Sequence, residues 1–90
     1  MTIAATGFEA ISLASVANGR NATVRKVEWD RLATGDAKRL RALGIDEGAE
    51  VCVAHRGMFG AREPLALRLG RTVIALRLAH AEAIMVVEQA

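Results

Sequence analysis

The sequence predicts a mainly β fold, a small barrel of about five strands with one short helix. Three observations predict it. Apolar residues recur with period two in five short runs between Ala22 and Val86, the pattern of strands with one face buried. Glycine, asparagine, aspartate or proline stands between the runs, where tight turns need such residues. One stretch, Ala37–Gly44, switches to helical spacing. Ninety residues suit a single domain, since a chain of this size buries only roughly 60% of its unfolded surface. The hydrophobic share is 52%, but 18 residues are Ala and only 22 are Val, Ile or Leu. These 22 can fill one core.

Residues 1–10 show no period and read as a frayed extension, with the domain itself over 11–90. Ser12-Leu13-Ala14-Ser15-Val16 reads as a capped bend or one helical turn, closed by Asn18-Gly19. Ala22 and Val24 alternate, as do Val27 and Trp29, with a one-residue slip at Arg25–Lys26; a bulged strand explains the slip. Asp36 is the expected N-cap of the helix, because its carboxylate can accept free N–H groups of the first turn. Leu40 and Leu43 face inward, and Lys38, Arg39 and Arg41 face solvent. Gly44 is the expected left-handed stop. Asp46-Glu47-Gly48 turns the chain into Val51, Val53 and His55. Residues 56–64 form a loop by their glycines and proline. Leu65, Leu67 and Leu69 alternate cleanly, and Gly70-Arg71 turns into Thr72, Ile74 and Leu76. Ala79–Ala83 makes one helical turn, and Ile84 and Val86 close the chain. Closure of the barrel is expected to remove most exposed edges. With the helix between the first two strands, the pattern favours an SH3-like barrel over an OB-fold.

Net charge is +2. Residues 31–62 hold six basic against four acidic groups, and each flank balances. Nucleic-acid binders carry a stronger basic stripe and several aromatic side chains for base stacking. Here only Phe8, Trp29 and Phe59 are aromatic, so no nucleic-acid partner is expected. A membrane span needs roughly 20 consecutive apolar residues. The most apolar stretch, Val73–Val87, is broken by Arg77, His80 and Glu82, so no direct membrane insertion is expected. The single cysteine, Cys52, excludes an internal disulfide and suits a reducing, cytoplasmic compartment.

Four segments in order resemble the FeoA family of ferrous iron transport proteins. Arg39-Leu40-Arg41-Ala42-Leu43-Gly44-Ile45-Asp46-Glu47-Gly48-Ala49-Glu50-Val51 is similar to its RL-x-x-LG signature. Leu13 to Asn18-Gly19 resembles its opening motif. Phe59-Gly60 with Pro64 resembles its Gly-Asp-Pro loop, although here two extra residues intervene and Glu63 replaces Asp. Ile74-Ala75-Leu76-Arg77 with Ala81, Ile84 and Val86 resembles its ending. The resemblance covers about residues 11–88. It implies a cytosolic SH3-like accessory protein whose partner is the cytosolic region of FeoB, a membrane iron transporter with a GTP-binding domain. The same shape resembles the C-terminal module of iron-dependent repressors, so a metal-sensing regulatory module is the alternative. No helix-turn-helix is present in this sequence to read DNA.

Candidate ligands for a divalent metal are Cys52, His55, His80 and Glu82, with Glu28 a fifth. Cys52 and His55 are three apart on a strand and point to opposite faces. His80 and Glu82 diverge on a helical turn. No segment supplies the four ligands, or three plus water, of a zinc site, so weak metal binding at most and no cofactor is expected. No Ser–His–acid spacing, phosphate loop or carboxylate pair stands out, so no enzyme activity is expected. The basic helix face reads most simply as solvated. Met58 and Phe59, between glycines and beside Arg62, are the candidate partner contact. Phe59 folded back as a lid is the plainer reading. Met85 and Val87 flank the inward Ile84 and Val86, so the last strand is apolar on both faces, which suits a partner or a homo-oligomer.

Overall fold

The fold is described from a computed structural model, which describes residues 9–56 and 64–89. Six strands form one antiparallel sheet: β1 (Ile11–Ser12), β2 (Asn21–Val27), β3 (Glu50–Arg56), β4 (Leu65–Leu69), β5 (Thr72–Leu76) and β6 (Ile84–Glu88). Their order is β1-β6-β2-β3-β4-β5. Helix α1 spans Thr34–Ala42 and α2 spans Leu78–Glu82. One core cluster takes side chains from β2, β3, β4, β5 and β6, with Ile11 of β1 packed against it. Strands spaced about 4.8 Å apart put the ends of a flat six-stranded sheet too far apart to share one core. The sheet therefore curls around it, and Leu40 of α1 and Leu13 plug the interior. The ladder itself stays open. Among the described residues β5 pairs with β4 alone, so closure does not remove that edge as the sequence led one to expect.

The slip at Arg25–Lys26 is a register shift between Val24 and Lys26 where β2 meets β6. It keeps Ala22, Val24 and Val27 buried across the bulge while Arg25 and Lys26 stay exposed. Trp29 does not continue the strand: the chain leaves the sheet after Val27, and Trp29–Arg31 forms a 3-10 turn leading toward α1. Ser12 caps the 3-10 turn Leu13–Ser15, its hydroxyl oxygen accepting from the Ala14 N–H at 3.1 Å. Gly44 ends α1 at φ +101°, where a Cβ would also meet Leu69 Cδ2 at 3.4 Å. The turn at Asp46–Gly48 is tied to β2 by the Gly48 N–H donating to the Val24 carbonyl at 2.8 Å.

One expectation is corrected. Asp36 is not the N-cap, because α1 begins two residues earlier and Ala33 occupies the cap without a side-chain bond. Asp36 lies inside the first turn, where a carboxylate still favours the positive end of the helix dipole. Its side chain is engaged elsewhere.

Candidate functional site

The first half of α1 and the helix α2 meet at one open cavity of about 600 Å³, lined by Asp36, Arg39, Pro64, Ala75, Leu76, Arg77, Ala79 and His80. His80 is the one buried polar or charged residue among the described ones, 9% exposed. Its Nε2 lies 3.3 Å from Asp36 Oδ2, so the imidazole spans the gap between the two helices. Its Nδ1 is buried without a hydrogen-bond partner. The Asp36 carboxylate is therefore turned toward α2 and away from its own helix end.

A second hollow of about 360 Å³ is lined by Asn21, Glu50, Val51, Cys52, Arg68, Gly70 and Gln89. Cys52 is a half-buried free thiol, opposite Asn21 on one side and Arg68 on the other.

The even alternation expected between Cys52 and His55 does not hold. The β3 register shifts between Val53 and His55, which sets Cys52 opposite Arg68 and His55 opposite Ala66, two positions on one face of β4; the His55 side chain falls outside the description. His80 faces Asp36, whereas Glu82 is exposed. Glu28 is taken by Arg31, whose Nη1 donates to Glu28 Oε1 at 2.8 Å and to the Glu82 carbonyl at 3.3 Å. The hydrogen bond to Glu28 raises the Arg31 pKa above its ordinary value. Among the described residues no group of three His, Cys, Asp or Glu side chains converges to hold a metal ion. Asp36 and His80 would give a cation two ligands, short of the three plus water of an open zinc site.

Of the candidate contact residues, Met58, Phe59 and Arg62 lie outside the described residues. Met85 and Val87 are half-buried on the outward face of β6. This strand is held by β1 on one side and β2 on the other, so it can offer a partner a face but no edge. On α1, Lys38, Arg39 and Arg41 are exposed as expected, but Arg41 stacks over the Trp29 ring, 4.2 Å from its centroid. Sequence reasoning passed over Val73. It is the one large hydrophobic side chain exposed among the described residues, at 59%. The signal was present: if Thr72, Ile74 and Leu76 face inward, Val73 and Ala75 must face out.

A family model described as the FeoA domain matches residues 11–88. The chain belongs to the FeoA family. The match runs from β1 to the last residue of β6, so every described element is part of the FeoA domain. Among solved structures, the chain is 35% identical to a FeoA from Stenotrophomonas maltophilia complexed with zinc, with TM-score 0.70. The two align over 86% of this chain and 89% of that one. That protein is described as a prokaryotic SH3 domain protein and a suggested ferrous iron transport activating factor. FeoA from Chlorobium tepidum aligns with TM-score 0.77 and 25% identity over 89% of this chain and 71% of that one. IdeR from T. acidophilum shares the fold, with TM-score 0.75 at 14% identity, over 90% of this chain but 35% of that protein. Among curated proteins no match was found. The fold is thus the SH3-like barrel of FeoA, and the family is one of accessory proteins in ferrous iron transport. No helix among the described residues of this FeoA protein is long and apolar enough to cross a membrane.

Proposed function

We propose that this FeoA-family chain is a cytoplasmic, non-enzymatic accessory protein of ferrous iron uptake. It binds the cytosolic region of a FeoB-type, GTP-dependent membrane transporter and supports or regulates it through protein–protein contacts. The observation that carries this reading is the family match over residues 11–88. The description of the 35% identical Stenotrophomonas maltophilia protein as a suggested activating factor points the same way. So does the surface of the described residues, which presents the exposed Val73 and exposed arginines that suit contact with a protein partner.

The test is a binding measurement between this chain and the transporter's cytosolic region, loaded with GDP or with a non-hydrolysable GTP analogue. Saturable binding in at least one nucleotide state is expected, weakened by Phe59→Ala or Met58→Ala. Absence of binding in both states overturns the reading. Metal-dependent association with DNA in its place would make the chain a regulatory module.

A further inference from the structure

We propose that the free edge of β5 docks an extended protein segment with an apolar centre and acidic ends, which joins the sheet as a further strand. The inference rests on this edge alone and does not depend on which protein supplies the segment.

β5 pairs with β4 in five unbroken steps, from Leu69↔Thr72 to Leu65↔Leu76. Gly70 and Arg71 form the two-residue turn between them, which makes Leu69 and Thr72 the closing hydrogen-bonded pair. Antiparallel pairing then alternates, so Thr72, Ile74 and Leu76 bond to β4. Val73 and Ala75 direct their N–H and C=O groups away from it. Among the described residues no strand receives them. Proteins normally blunt such an edge with lysine, proline or a bulge. The run Thr72-Val73-Ile74-Ala75-Leu76 contains none of these, and Val73 is well exposed on it.

Charge selects the occupant. Arg71 and Arg77 bracket the strand, both exposed and in phase with Val73 and Ala75. A second copy pairing antiparallel along the whole strand would centre on Ile74. Each Arg71 would then stand opposite an Arg77, and directly opposed like charges destabilise a strand pair. A segment with Asp or Glu at both ends meets the same two arginines favourably. The cavity of about 600 Å³ lies at the C-terminal end of this edge, against Ala75, Leu76 and Arg77, with Arg39 across it. The Asp36 carboxylate in its wall is already occupied by His80. Among the described residues neither Arg39 nor Arg77 is engaged in an ion pair. The cavity can thus take a terminal carboxylate side chain from the added strand. Main-chain bonds to an edge supply affinity in this mode, and the flanking contacts supply selectivity.

The experiment titrates the isotope-labelled full chain with two blocked seven-residue peptides and follows its amide resonances. Both have a threonine-valine-isoleucine-valine-threonine centre; one ends in glutamates, the other in lysines. The glutamate-ended peptide is expected to shift the Val73 and Ala75 amides most and to slow their hydrogen exchange. The lysine-ended peptide is expected to bind at least about tenfold more weakly, as opposed charges select partners. Val73→Pro removes an outward donor without touching the β4 ladder and should abolish binding. Should that variant fail to fold, Arg71→Glu with Arg77→Glu carries the test alone, and is expected to reverse the preference between the peptides. Three results would overturn the proposal: equal binding of both peptides, shifts centred away from β5, or concentration-dependent shifts of Val73 and Ala75 in the chain alone. A silent transporter binding assay with a positive peptide titration would discard the transporter reading and leave this edge standing.

Discussion

β5 and β6 are both five-residue strands rich in aliphatic side chains, Thr72–Leu76 and Ile84–Glu88. They meet opposite fates. On β6 no residue is exposed, whereas on β5 Thr72, Val73 and Ala75 all are. The difference does not come from hydrophobicity. It comes from sheet order: β6 lies between β1 and β2, and β5 lies at the end. An apolar run measures how much cover a strand could use, while its neighbours decide how much it receives.

Paired substitutions can break or sharpen this contrast. The largest effect is expected at the inward positions. Ile84→Ala, at a fully buried site on β6, should cost about 2–5 kcal/mol. Ile74→Ala on β5, where the side chain is only half-buried, should cost less than half as much; chemical denaturation of both variants measures the gap. Next comes the backbone. Val87→Pro places a proline in a strand paired on both sides, losing a ladder bond at about 1–3 kcal/mol. Val73→Pro should lower the melting temperature far less, because its N–H faces outward. The third pair concerns the outer face. Val87→Lys moves a charge onto a half-buried site, while Val73→Lys should stay within about 0.5 kcal/mol of the parent. Equal losses at Val73 and Val87 would show that β5 is covered in solution. At α1 the effect is smaller than at the inward positions: Arg41→Ala removes the contact over Trp29 and should cost about 0.5–1 kcal/mol in chemical denaturation.

Much of this fold was legible because local chemistry and tertiary demand agree. The phase slip at Arg25–Lys26 announced a bulge, since only an extra residue keeps both Val24 and Val27 inward. Gly44 and Ser12 took the roles their residue types suggest. What was hidden depended on long-range partners. β1 is two residues long and exists only through β6, more than seventy positions away. Trp29 kept the strand period on paper, yet the chain bends at Glu28, whose N–H is held by the Ala83 carbonyl at 2.8 Å. Asp36 had the type and place of a cap, but His80, far along the chain, claims its carboxylate. At the candidate site the same limit applies. Met85 and Val87 were singled out because nothing inward was left for them, and Val73 was passed over because one strand's alternation says nothing about which strands end the sheet.

The stacking of Arg41 on Trp29 has an optical consequence. Trp29 is the sole tryptophan, and the chain has no tyrosine. Near-ultraviolet emission from this protein is therefore the signal of one indole, sitting in the turn before α1 under a guanidinium from the last turn of that helix. The native chain carries its own fluorophore at the joint between helix and sheet. Intensity and wavelength will follow undocking of α1 without any label, while events at the β5 edge, which bears no aromatic side chain, will be read only by other probes.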